Sequence, residues 1–152
     1  MVLSLPRFSW RKMKYKYLAD AQTETIGGHY VKRPVIEIEL SKKGHKSRKF
    51  IAIIDSGADH ILMSTEIAEL FGINWRKSRT RKITGISMQQ QDGYVGEINL
   101  SVSHIGETLT MPVLFINFRI PILLGQEGFF DNYRIKFEKD HDTFEITKPP
   151  SK

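Results

Sequence analysis

Asp55 stands at the end of an apolar run, Phe50-Ile51-Ala52-Ile53-Ile54, and is followed at once by Ser56-Gly57-Ala58-Asp59. A five-residue run of this kind, rich in β-branched residues and without alternation, is expected to be a strand covered on both faces. Such a strand carries a single carboxylate to its end and then turns on a glycine. Burying an ionised carboxylate without a partner costs several kcal/mol, on the order of the penalty for any unpaired buried charge. The acid must therefore be neutralised or held by a close partner, and both states are those of a general acid or base.

Other chemistries fit the same residues less well. Asp-Ser-Gly is a common turn in which the acid caps the following amides and the glycine takes a positive φ. Asp55, Asp59 and His60, or Asp140-His141-Asp142, offer metal-type donors, but neither set has the helical spacing of a zinc protease or the pattern of a calcium loop. No metal is expected. Ser56 lacks the Gly-x-Ser-x-Gly elbow of a serine hydrolase, and the five histidines are scattered without an assignable role.

The flanking elements are read from periodicity. Ile36, Ile38 and Leu40 alternate with Glu37 and Glu39, the pattern of a half-buried strand, before a polar turn over Ser41 to Lys46. Ser64 is placed to cap a short helix carrying Ile67, Ala68, Leu70 and Phe71, with Gly72 to end it. From Lys82 to Val102 strand character returns as an exposed hairpin, with Asp92-Gly93 the favoured turn dipeptide. A further hairpin turns at His104-Ile105-Gly106 into Leu109 to Phe115. Ile122-Leu123-Leu124 closes on Gly125, a second short helix is expected over Gln126 to Phe130, and Ile135, Phe137, Phe144 and Ile146 form a closing hairpin around Lys139 to Asp142. Met1 to His29 holds one expected strand, Lys14 to Ala19, and a flexible point at Gly27-Gly28.

Composition bounds these readings. At 152 residues the chain has room for one independent core, and 40% hydrophobic with 26% charged residues is the balance of a folded globular protein. No run suits a signal peptide or a membrane span, which makes the cytoplasm the expected location and a membrane partner unexpected. The absence of cysteine removes disulfide scaffolds, thiol nucleophiles and cysteine-bound zinc. The net charge of +6 gathers in Arg7 to Lys16, Lys42 to Lys49 and Arg76 to Lys82. Without a nucleic-acid motif these clusters read as solvated loops and strand ends, and nucleic acid is not an expected partner.

Asp55-Ser56-Gly57-Ala58-Asp59 after an apolar strand, a glycine-containing hairpin, and Leu123-Leu124-Gly125 some seventy positions on resemble, in that order, the retropepsin-like aspartic proteases: single-lobed, dimeric enzymes of retroviral, bacterial and archaeal type. The resemblance covers roughly Pro34 to Ile146. It implies an all-β fold, a closed β-barrel with one or two short helices, over a domain spanning 30–148 with 1–29 as an extension or first strand. It implies a catalytic Asp55, support of the catalytic loop by Ser56 and Gly57, substrate contacts from Ala58, Asp59, Ile86 and Ser87 with the Ile83 to Gly96 hairpin as a flap, and Leu123, Leu124 and Gly125 packed beneath the loop. No cofactor is implied. In this class two carboxylates about 3 Å apart share one proton and titrate as a unit. One Asp-Ser-Gly per chain then requires a second copy across a two-fold axis, so the implied function is a homodimeric aspartic endopeptidase acting on peptide or protein substrates. A catalytically silent dimeric scaffold with a basic surface is the alternative. Two features depart from the retroviral pattern: Gln126-Glu127 stands where an Arg follows the late glycine, and about thirty residues precede the recognisable region.

Overall fold

The computed structural model describes residues 12–149. Its strands are β1 (Lys12–Lys16), β2 (Leu18–Glu24), β3 (Tyr30–Arg33), β4 (Val35–Ser41), β5 (Arg48–Ile54), β6 (Ile61–Ser64), β7 (Thr80–Thr84), β8 (Gln90–Val102), β9 (Thr108–Ile116), β10 (Ile122–Leu124), β11 (Arg134–Glu138) and β12 (Thr143–Thr147). One α-helix, α1 (Thr65–Leu70), follows β6. Of the basic cluster expected over Arg7 to Lys16, Arg7 to Arg11 lies outside the described residues.

Six strands close into a barrel in the order β4, β5, β10, β6, β9, β8 and back to β4, as the resemblance implied. Closure leaves no bare edge to these strands. Antiparallel β4 sets Ile36 opposite Ala52 and Ile38 opposite Val102, and parallel β5 and β10 set Ile54 opposite Leu124. Parallel β6 and β9 set Leu62 opposite Leu114. Every second residue points inward, so the interior holds Ile36, Ile38, Leu40, Ala52, Ile54, Met63, Leu100, Met111, Phe115 and Leu124, all buried. Such side chains contribute about 1.5–3 kcal/mol each on burial.

β5 corrects one expectation. Ala52 and Ile54 face the interior, but Ile51 is 61% exposed and Ile53 half-buried. A small barrel has a single interior, so its strands are covered on one face only. The unbroken apolar run conceals an alternation that side-chain type alone does not reveal.

α1 forms as its sequence suggests. Ser64 caps it, its hydroxyl accepting the Glu66 amide at 3.2 Å, and Gly72 takes φ +65° just past the end. Ile67, Ala68 and Phe71 pack on the barrel, while Leu70, on the expected apolar face, is exposed. Trp75 is buried beside Tyr94, with ring centroids 4.7 Å apart.

The exposed hairpin is present as β7 and β8, but its turn is at Gly85 to Gln89, where the Met88 amide donates to the Gly85 carbonyl at 2.9 Å. Asp92-Gly93 lies within β8, opposite Lys82 and Arg81. A Cβ on Gly93 would meet the Ile83 side chain at 2.7 Å, so this glycine serves close packing rather than a turn. The turn around Gly106 and the closing hairpin of β11 and β12 are as expected. The helix expected over Gln126 to Phe130 is an irregular helical turn, broken at Glu127 (ψ 124°) and Gly128 (φ +89°).

The strand expected over Lys14 to Ala19 is divided at Tyr17. β1 pairs with β12, making a three-stranded sheet with β11, and β2 pairs with β3 in a separate hairpin turning at Gly27-Gly28. Tyr15 stacks on buried Phe144 at 5.3 Å. No helix of the described residues is long and apolar enough to cross a membrane.

Candidate active site

Asp55 is held where the parallel strands β5 and β10 end together. Its amide donates to the Leu124 carbonyl at 3.0 Å, which extends the β5–β10 ladder by one step into the loop. Its own carbonyl accepts the Ala58 amide at 3.2 Å and closes the turn. One carboxylate oxygen, Oδ1, accepts the Gly57 amide at 2.9 Å, and among the described residues no donor reaches Oδ2. Asp55 is half-buried rather than sealed in the interior. In a single copy the carboxylate thus opens toward the exterior of the barrel end, with one oxygen fixed by the backbone.

Gly57 is exposed and its φ lies outside the left-handed region, so the positive φ of a plain Asp-Ser-Gly turn is not what it supplies. Its lack of a side chain keeps room for the carboxylate: a Cβ there would crowd Asp55 Oδ1 at 3.3 Å. Ser56 is exposed, and its carbonyl accepts the Gln126 side-chain amide at 2.8 Å. Ala58 is half-buried and Asp59 exposed.

Leu123, Leu124 and Gly125 lie against this loop. β10 is wedged between β5 and β6, with Leu123 opposite both Ile53 and Leu62. Beyond it the Gln126 amide donates to the Ala58 carbonyl and the Glu127 amide to the Asp59 carbonyl, both at 2.9 Å. Gly125 fits so closely that a Cβ would stand 2.5 Å from the Ala58 oxygen and nearer still to that of His60. The Asp55 loop and the Gly125 turn are therefore one backbone-bonded unit.

The departure from the retroviral pattern has a structural counterpart. His60 Nδ1 and Glu127 Oε2 are 2.8 Å apart, so the acid comes from the late turn and the basic partner from the loop. Together with Gln126 it clasps the loop from the side. Sequence reasoning assigned no role to His60, Gln126 or Glu127. The signal available was the pair Gln126-Glu127 directly after Gly125, but its partners lie about seventy residues away and only the fold reveals them.

Ile86 and Ser87 sit at the tip of the β7–β8 hairpin, where Ile86 is fully exposed and Met88 is 78% exposed. Ile86 thus projects an apolar side chain into solvent, and nothing among the described residues covers it.

The fold is that of the retropepsin-like aspartic proteases. The chain superposes on the crystal structure of a retropepsin-like aspartic protease from Rickettsia conorii with a TM-score of 0.61, at 14% identity, over 90% of this chain and 99% of that one. The EIAV protease complexed with the inhibitor HBY-793 matches over 62% of this chain and 82% of its own, also at 14% identity, with a TM-score of 0.41. No protein-family model and no curated protein matches the sequence.

Proposed function

We propose that the chain is a homodimeric aspartic endopeptidase, in which Asp55 of each of two copies forms the catalytic pair. The observation that carries this reading is the state of Asp55: fixed by the backbone through one oxygen, open at the other, at the end of a barrel of retropepsin-like fold. A single chain supplies one such carboxylate. A two-fold axis through the two loops supplies the second, and the two then share a proton because like charges so close cannot both ionise.

In this reading the ionised carboxylate takes a proton from a water molecule as that water attacks the scissile carbonyl carbon. The protonated carboxylate gives its proton to the carbonyl oxygen, forming a neutral tetrahedral diol. Collapse breaks the C–N bond while a proton passes to the leaving amine, and the pair returns to its shared-proton state. Ser56 and Gly57 hold the loop, Ala58 and Asp59 line the cleft, and the β7–β8 hairpin with Ile86 and Ser87 closes over an extended peptide. The exposure of Ile86 and Met88 supports that last role, since they gain cover only when something lies beneath them. A cytoplasmic location belongs to the same reading.

Purified protein is expected to cleave unstructured peptides best at acid to mildly acid pH. Asp55→Asn is expected to lower kcat/KM on the order of 10³-fold or more while the protein stays folded and associated. Undiminished cleavage by that variant removes the proposal, and a folded dimer that cleaves nothing favours the silent scaffold.

A further inference from the structure

A recess beside the Asp55 loop lies at the foot of the β7–β8 hairpin, on the flank of His60. It has a volume of about 80 Å³, and its wall carries Arg79, Arg81 and His60 over a floor of Val95, Pro112 and Leu114. Arg79 and Arg81 are two residues apart on extended chain and so share one face. Lys82, on the opposite face of β7, pairs with Asp92 at 2.7 Å, and Arg76 pairs with Glu69 at 3.4 Å while lying over the Trp75 ring. Arg79 and Arg81 alone of these four have no acid partner among the described residues. Glu127 also reaches the recess, but its carboxylate is engaged by His60 at 2.8 Å. Two unneutralised guanidinium groups therefore converge above an apolar floor.

We propose that this recess is a subsite for an acidic side chain of the peptide substrate, so that the enzyme prefers sequences with Glu or Asp a few residues from the cleaved bond. The inference rests on the protease reading of Asp55. His60 follows Asp59 directly, so the recess adjoins the loop along which a substrate backbone would run. A guanidinium presents paired N–H donors that match both oxygens of a carboxylate, and a glutamate's methylenes fit an apolar floor. The space suffices, since one water needs only about 10–15 Å³ of it. Both arginines are exposed, so the attraction is screened by salt and worth a several-fold preference rather than an absolute requirement.

The test uses the full chain and unstructured octapeptides in matched pairs, with Glu or Gln at one position at a time. For at least one position the Glu peptide is expected to show a kcat/KM about five- to tenfold above its Gln partner. In R79Q/R81Q that ratio falls to about one, in R79K/R81K it is partly retained, and in K43Q/K46Q, which removes the same charge from a distant exposed turn, it is unchanged. A second arm measures binding of the same labelled peptides to Asp55→Asn by fluorescence anisotropy. The Glu preference is expected there too, and is expected to vanish near about 0.5 M NaCl.

Cleavage without a Glu preference, or a preference that survives R79Q/R81Q, overturns the subsite and leaves the protease reading intact. No cleavage by wild type, with arginine-dependent Glu preference in the binding arm, overturns the protease reading and upholds an acid-recognising recess. Inorganic phosphate or a single-stranded oligonucleotide bound through Arg79 and Arg81, with no Glu preference in either arm, assigns the recess to a different ligand and overturns the proposal.

Discussion

Replacing Gly125 by alanine tests how tightly the Asp55 loop is bound to the turn beneath it. The backbone at Gly125, φ −100° and ψ −166°, is extended and open to any residue, so the effect is steric alone. The added Cβ would lie 2.5 Å from the Ala58 carbonyl oxygen and closer to that of His60, whereas real Cβ contacts essentially never fall under 3.0 Å. Both obstacles are backbone and cannot rotate away. Loop and turn must part by roughly half an ångström or more, which stretches the two 2.9 Å bonds across the gap to the edge of hydrogen bonding. Two weakened bonds at about 0.5–1.5 kcal/mol each, with about 1–3 kcal/mol of overpacking strain, give a loss of about 2–6 kcal/mol. At about 2–4 °C per kcal/mol for a chain of this size, Tm falls by about 4–24 °C. Thermal unfolding followed by circular dichroism, at one fixed protein concentration so that any association contributes equally, reads this directly. Gly85→Ala is the control: nothing lies within 4 Å of its Cβ, and its cost is expected to stay within about 0.5 kcal/mol. A Gly125→Ala protein that melts with wild type refutes the close fit.

Ser64→Ala removes a buried cap from α1 and is expected to cost about 1 kcal/mol in denaturant unfolding, with no loss if the Glu66 amide finds another acceptor. Burial first, and the charge of Glu107 second, push the Tyr133 phenol up to about 12. Its neutral form is thus favoured in the folded chain. The stability this contributes is complete below the unfolded value near about 10 and is lost as pH rises from there toward the folded value. Tyr133→Phe is expected to flatten the fall in stability across that window, and an unchanged slope would show the phenol to be accessible.

The parts of the fold legible in the sequence are those set by short-range patterns. Ile36, Ile38 and Leu40 announced their strand by alternation, Ser64 and Gly72 bounded α1, and Phe137 and Phe144 framed the closing hairpin. The Asp55 motif stood out because an acid after an apolar strand is costly if buried, but the barrel end leaves Asp55 only half-buried, which no local pattern reveals. What escaped was set by contacts distant in sequence. Asp92-Gly93 has the local chemistry of a turn, but Gly93 is held in β8 by pairing with Arg81 and Ile116 and by Ile83 against its Cα. β1 finds its partner in β12, more than a hundred residues on, and no local pattern marks that pairing. The side chains of His60 and Glu127 meet only because β10 is inserted beside β5.

The proposed catalytic pair needs Asp55 from two copies, and mixing wild-type with Asp55→Asn subunits tests this most directly. If every active centre needs Asp55 from two copies, activity of a fully exchanged equal mixture falls to about one quarter of that of the same total of wild type, following the square of the wild-type fraction. Activity falling only to about one half, in proportion to the wild-type chains present, would mean that each chain works with its own Asp55 and would contradict the account.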